Sequence, residues 1–141
     1  MKNRKALVLA VVVLTMVLAG CDFFSSLFQD PIVGTWNATA ITFNGMPITI
    51  DASTYYTMTV KGDDTWSGSG KGGGTESTAS GTWSKSDSTY SFSVTTISMS
   101  GASVTSWVAT LSSDHKTMNA AVTGIIGSEV FIETITLTKE Q

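Results

Sequence analysis

A chain of 141 residues with one cysteine and one histidine has no disulfide of its own and almost no material for a thiolate or imidazole metal site. Its formal net charge is −3, with 13% of residues charged. That balance excludes a nucleic-acid binder, which needs a basic face to neutralise phosphates.

The first element is a basic cluster, Lys2, Arg4 and Lys5, followed by an unbroken apolar run from Ala6 to Ala19. This is the pattern of an export signal. The run is shorter than the roughly 20 apolar residues that span a bilayer as a helix, and small residues rather than a positive cluster end it. Residues 1–20 are therefore read as a signal peptide outside the fold. The run closes with Leu18-Ala19-Gly20-Cys21, which resembles the lipobox of bacterial lipoproteins. The resemblance implies cleavage before Cys21, a diacylglycerol on its thiol and, often, acylation of the new amino terminus. It also implies a lipid-anchored protein of the bacterial cell envelope, on the inner or outer membrane, with its domain outside the cytoplasm. Each buried methylene of such a lipid contributes about 0.8 kcal/mol, so two or three chains hold the protein on a membrane unaided. Cleavage removes Lys2, Arg4 and Lys5, leaving five basic residues against the 11 acidic ones, a net charge near −6. Nucleic acid and anionic lipid repel such a domain.

Residues 21–30 form the lipidated tether. Phe24 and Phe28 stand four apart and share one face of a helical turn. That turn either packs against the domain or dips into the lipid interface together with Phe23 and Leu27.

From Pro31 onward no amphipathic helical period occurs, and Thr, Ser, Val, Ile and aromatic residues alternate in short runs between turn residues. This predicts an all-β domain over residues 31–141 without significant helix. Tyr56, Met58 and Val60 share a face, as do Tyr90, Phe92 and Val94, and Met118, Ala120 and Val122. Turn signals fall at Asn44-Gly45, Gly62 to Asp64, around Gly72, at Ser86-Asp87, Ser100-Gly101 and Ser113-Asp114, and between Gly124 and Gly127. Seven turns imply about eight strands, and their spacing suits hairpins joined in order, an antiparallel up-and-down meander that closes into a small barrel. The segment from Met46 to Lys61 is one bent strand or two short ones. Pro47, which lacks a ladder donor, belongs there at an edge, a bulge or a barrel rim.

Gly-Thr-Trp occurs twice, at Gly34 to Trp36 and at Gly81 to Trp83. Residues two apart in a strand share a face, so each glycine lies beside an indole, where it makes room for the ring and lets a barrel corner bend. With "IVGTW" at the start, "YYTMTVKGDDTWSGSG" after it and "SGTWSKSDSTYSFSV" in the middle, residues 31 to 139 resemble bacterial lipocalin-like domains. The resemblance implies a small barrel and, for many members, no assigned activity. The chain departs from the larger lipocalin carriers in its shorter strands, its lack of disulfides and the absence of a late arginine to stack on the first tryptophan; Lys139 stands near that position.

Candidate chemistry is sparse. Gly68 to Thr75 is not a phosphate loop, because Thr65 stands where the first glycine belongs and Gly72 follows Lys71. His115 lies in a polar turn with no second histidine and no GxSxG elbow to serve. Asp63 and Asp64, with Asp51 or Glu76, offer oxygen atoms of the kind calcium takes, but without a spaced acidic loop they read as a solvated turn. Glu133 shares its strand face with Phe131, Ile135 and Leu137. Either a bulge after Gly127 turns it outward, or a carboxyl group faces the barrel interior and needs a partner, a proton or a ligand.

These features predict a non-catalytic protein with no cofactor, no metal and no catalytic residue. Its expected partners are a membrane, through the lipid on Cys21, and a small apolar ligand held in the barrel by Trp107, Ala109, Leu111 and Glu133, with Ala38, Ala40 and Ala120 leaving space opposite. The alternative is a solid-core interaction or inhibitor protein that meets a protein partner through acidic rim loops around Asp63, Asp64, Glu76 and Asp87. Gly34, Trp36, Gly81 and Trp83 are the expected structural residues.

Overall fold

The computed structural model describes residues 29–99 and 101–141. Cys21 and the tether aromatics Phe23, Phe24, Leu27 and Phe28 lie outside the described residues. Ten strands follow in order: β1 (Gly34–Phe43), β2 (Met46–Ile48), β3 (Tyr55–Val60), β4 (Thr65–Gly72), β5 (Thr75–Ser86), β6 (Thr89–Ile97), β7 (Ala102–Ser103), β8 (Ser106–Leu111), β9 (Thr117–Ile126) and β10 (Glu129–Lys139). No helix occurs among the described residues of Pro31–Gln141.

Eight of these strands close on themselves. The order β10-β1-β3-β4-β5-β6-β8-β9 is antiparallel throughout, and β9 pairs back onto β10 from Glu129 opposite Ile126 to Thr138 opposite Thr117. Closure leaves the eight main strands without a free edge. The other two are short. β2 pairs with Ile41–Phe43 of β1, beyond the point where β3 takes over at Asn37 opposite Thr57, and β7 pairs with Ile125 and Ile126 of β9 beyond the end of β8. The Met46 to Lys61 segment is thus two strands. Pro47 sits in the short rim strand β2, where a missing donor interrupts no central ladder.

Turn chemistry sets the hairpins. Asn44 and Gly45 both have positive φ, 49° and 81°, the backbone that a two-residue turn matched to strand twist demands. Asp63 and Asp114 each accept hydrogen bonds from the residue two positions on, Thr65 and Lys116, and so hold their own turns. The last hairpin turns at Gly127, with φ 63°, whereas Gly124 is a buried position inside β9. A Cβ on Gly124 would stand 2.4 Å from the Phe131 ring, so this glycine seats an aromatic ring and makes no turn.

Two register shifts re-aim side chains. The first lies between Ala38 and Ala40 in β1. Before it Trp36 and Ala38 point inward; after it Ile41 and Phe43 do, and Ala40 is exposed. Ala40 therefore does not leave space inside the barrel, because strict alternation fails at the bulge. The second lies where Ser80 faces Thr96 but Gly81 faces Val94, and it brings Ile97 inward after two exposed threonines.

The core gathers at one end. Ile32, Trp36, Met58, Val60, Phe92, Met118 and Leu137 are each under 2% exposed. The chain enters here at Ile32, and the turns at 61–64, 87–88 and 112–116 close over it. Indole N–H groups are satisfied by backbone oxygens: Trp36 donates to Ile32 at 2.8 Å, Trp83 to Lys61 at 2.9 Å and Trp66 to Ser93 at 3.1 Å. Among the described residues every strand pairing and the buried core fall between Ile32 and Lys139, so residues 31–141 carry a complete closed barrel with its own core.

Candidate functional site

The other half of the barrel is hollow. A cavity of about 550 Å³ runs from the aromatic core to the rim formed by the β4–β5 hairpin and residues 97–99. That volume is in the range of small-ligand sites.

Its floor is a cluster of three rings. Trp107 stacks on Phe92 with centroids 3.9 Å apart and planes 2° apart, and Trp66 stands edge-on to Trp107 at 5.5 Å and to Phe92 at 6.0 Å. Trp66 and Trp107 border the cavity while Phe92 supports them from below. The walls are Ile41 and Leu137 on one side, Val94 and Ile97 on another, and Ala120, Val122 and Ile135 between.

Glycine makes the hollow. Trp66, Gly68 and Gly70 share the inner face of β4, and all three are buried. A Cβ on Gly68 would lie 2.3 Å from the Tyr56 hydroxyl, and one on Gly70 would lie 3.0 Å from the Tyr56 ring. The missing side chains let Tyr56 lie flat along β4, so its ring lines the cavity without filling it.

Glu133 is the carboxyl group of β10 that lines the cavity, Glu129 at the start of the strand being exposed. The β9–β10 ladder runs without a register shift, so no bulge turns Glu133 outward; it pairs with Val122 on one side and Phe43 on the other. It lines the cavity and is half-buried. Burial pushes its carboxyl pKa up from the ordinary value. Tyr56 is held well above the usual phenol range, first by burial and then by the nearby Glu133 charge. A carboxyl and a phenol thus face the same apolar space.

At the mouth, Lys71 and Glu76 pair at 3.5 Å across the β4–β5 hairpin. The Glu76 side chain is 76% exposed, and such a pair adds little stability.

Of the four residues expected to hold a ligand, Trp107 and Glu133 line the cavity together. Ala109 and Leu111 follow Trp107 along β8 toward the closed end. Ala109 is buried in the core and Leu111 is half-buried against it, so neither borders the cavity. Ala120 lines it, whereas Ala38 packs against the core and Ala40 faces solvent. Trp66, Tyr56 and the mouth pair are additions. The signal for Trp66 was present in "WSGSG", a large ring followed on its own face by two glycines, which marks an inner wall with volume left over.

The expected structural glycines act on other partners than their neighbouring indoles. Gly34, with φ 143°, leaves the space that the Lys139 stem occupies, since a Cβ there would meet Lys139 Cε at 2.6 Å. Gly81 lies at the second register shift, where a Cβ would stand 1.8 Å from the Ser93 carbonyl oxygen and 3.0 Å from the Trp66 ring nitrogen. Trp36 and Trp83 are both buried in the closed end.

The acidic residues are divided between the two ends. Asp63, Asp64 and Asp87 lie in turns at the closed end, while Asp51 and Glu76 stand at the open end. Hydrogen bonds from their own turns hold the Asp51, Asp63 and Asp114 carboxyls below the ordinary value, Ser53, Thr65 and Ser112 being the respective main donors. Among the described residues no group of three His, Cys, Asp or Glu side chains is placed to share a metal ion. His115, with φ 56°, sits in the β8–β9 turn at the closed end, remote from the cavity.

The chain matches no protein-family model and no curated protein.

Proposed function

We propose that this chain is a lipid-anchored cell-envelope lipoprotein whose barrel is a non-catalytic binding module for a small apolar ligand, in the manner of the lipocalin-like domains it resembles. The observation that carries the reading is the cavity of about 550 Å³ with two tryptophans at its floor and branched aliphatic walls. Burying an apolar ligand there gains about 25 cal/mol for each Å² removed from water. Nothing comparable favours the solid-core alternative, because the acidic residues it invoked are split between the two ends, Asp63, Asp64 and Asp87 at one and Glu76 at the other, and the Asp63 carboxylate is engaged in its own turn.

The membrane attachment rests on Leu18 to Cys21 behind an apolar run of signal length. Expected partners are therefore a membrane and a small apolar molecule, and the high negative charge of the mature domain disfavours nucleic acid.

Titration of residues 31–141 with an apolar dye and with saturated amphiphiles tests the binding reading. Trp66 and Trp107 border the cavity, so occupancy is expected to change tryptophan emission and to raise the melting temperature in proportion to ligand concentration. No emission change and no thermal shift with any of these probes would sink it.

A further inference from the structure

The cavity is mainly apolar, with serines, threonines and the Lys71–Glu76 pair among its lining toward the mouth, yet a carboxyl group, Glu133, is built into its wall. Around Glu133, β1 presents Ile41 and Phe43, β9 presents Ala120 and Val122, and β3 presents Tyr56. Tyr56 is the only titratable group among these, and it is a neutral phenol that the Glu133 charge makes still harder to ionise. The nearest cation lining the same space, Lys71, is held at the mouth by Glu76. Among the described residues Glu133 therefore has no positive partner facing it, and an uncompensated carboxylate in such surroundings is expensive. Burial makes it keep its proton more firmly than an exposed glutamate does.

Ladder register fixes where this group stands relative to the aromatic floor. Trp107 pairs with Val122, and Val122 pairs with Glu133, so the three form one row across β8, β9 and β10. Two strand spacings of about 4.8 Å put Glu133 roughly 10 Å from Trp107 at the backbone. A ligand lying against the Trp66 and Trp107 rings thus has a carboxyl group within reach of one end and apolar wall along the remainder.

Resting on the binding reading above, we infer that the ligand is an amphiphile with a protonated amine head, which seats on Glu133 beside the Tyr56 hydroxyl while its apolar tail lies over Trp66 and Trp107. The ammonium supplies the cation that the barrel withholds, and the bond it donates is charge-assisted on both sides. Binding at a pH where Glu133 is protonated releases that proton to solvent, so charge in the cavity stays balanced.

Three probes with the same tail separate the terms: dodecylamine, dodecanol and laurate, each titrated into residues 31–141 with tryptophan emission as the readout. Dodecylamine is expected to bind about tenfold or more tightly than dodecanol, a preference worth roughly 1.4 kcal/mol. Laurate, which brings a second carboxylate, is expected to bind weakest. Amine affinity is expected to rise with pH through the Glu133 titration while dodecanol affinity does not. Glu133→Gln, checked for an unchanged far-UV spectrum, is expected to bring the amine down to the dodecanol level and to leave dodecanol itself within twofold.

Equal amine and alcohol affinities, or an amine preference unchanged in Glu133→Gln, overturn the inference while leaving the binding reading in place. Tightest binding of laurate, lost in Lys71→Met, also overturns it and moves the head group to the mouth. Silence from all three probes removes the binding reading itself.

Discussion

The Lys139 ammonium lies 5.5 Å from the centroid of the Trp36 ring and donates a hydrogen bond to the Pro31 carbonyl oxygen at 2.8 Å. The last residue of β10 thereby clamps the entry of β1, and its stem fills the space that Gly34 leaves open. A cation over an indole is worth about 0.5–2 kcal/mol, and a hydrogen bond about 0.5–1.5 more. Lys139→Met keeps most of the stem and removes both, so it is expected to destabilise the barrel by about 1–3 kcal/mol in denaturant unfolding. Gly34→Ala is expected to be destabilising as well, since its methyl meets Lys139 and its φ of 143° strains any other residue. Combining Gly34→Ala with Lys139→Ala is expected to cost less than the two changes summed, because the clash vanishes and only the backbone strain is left.

Trp36 itself is fully buried, and its indole N–H is paired with Ile32. Trp36→Ala removes the ring and leaves the Ile32 carbonyl oxygen without that donor, at an expected cost of about 3–5 kcal/mol, the usual range for emptying a large aromatic site. A melting temperature within a degree or two of wild type would contradict this placement.

The barrel was legible in the sequence because its signals are local. Alternation in "TMNAAVT", turn residues such as Asn44-Gly45 and Asp63-Asp64, and the absence of any helical period each act within a few residues. The two bulges were not legible. Each depends on how one strand meets its neighbour, and a single extra residue reverses every side chain after it, which is why Ala40 faces solvent and Ile97 does not. The glycines illustrate the same limit. Gly34 and Gly81 stand out in sequence beside Trp36 and Trp83, but the atoms that need their missing side chains belong to Lys139, Ser93 and Trp66, which are distant in the chain. Trp107 and Glu133 were legible as inward-facing residues because strand parity identifies them, and they line the cavity, whereas parity says nothing of depth, and Ala109 and Leu111 share that parity at the closed end.

The pH dependence of stability has two parts of opposite sign. Folded Glu133 binds its proton more tightly than the unfolded chain does, so its contribution is full below the ordinary value of 4.5 and diminishes as pH rises through the raised folded value. Asp51, Asp63 and Asp114 have lowered folded values, so their contribution is present above the ordinary 3.8 and is lost as pH falls through those lower values. Glu133→Gln is expected to be at least as stable as wild type at neutral pH and to lose this advantage toward acid. Chemical denaturation of both proteins across that range measures the difference directly. A constant difference at all pH values would show that Glu133 is solvated.

Cys21 is expected to carry lipid, given the small-residue run before it and the export pattern that precedes both. Cys21→Ser is expected to leave the precursor uncleaved or to release the domain from membranes. Detergent partitioning of the mature protein decides it, an unmodified protein wholly in the aqueous phase being the contrary result.

Volume is the sharpest distinction between the two halves of the barrel. Val122 borders the cavity beside Trp107 and Glu133, whereas Ala109 is 2% exposed and enclosed by the core. Added atoms at Val122 enter open space, so Val122→Phe is expected to change stability by less than about 1 kcal/mol while abolishing the emission response to dodecylamine and dodecanol alike. Added atoms at Ala109 meet packed side chains, and Ala109→Phe is expected to destabilise by about 1–3 kcal/mol. The two substitutions stand on adjacent strands and enlarge the same inner face, so they control for each other. If Val122→Phe destabilises as much as Ala109→Phe, the upper half is as tightly packed as the lower and offers no room for a ligand. If Val122→Phe is stable yet still responds to both probes, the ligand lies elsewhere than against Trp107.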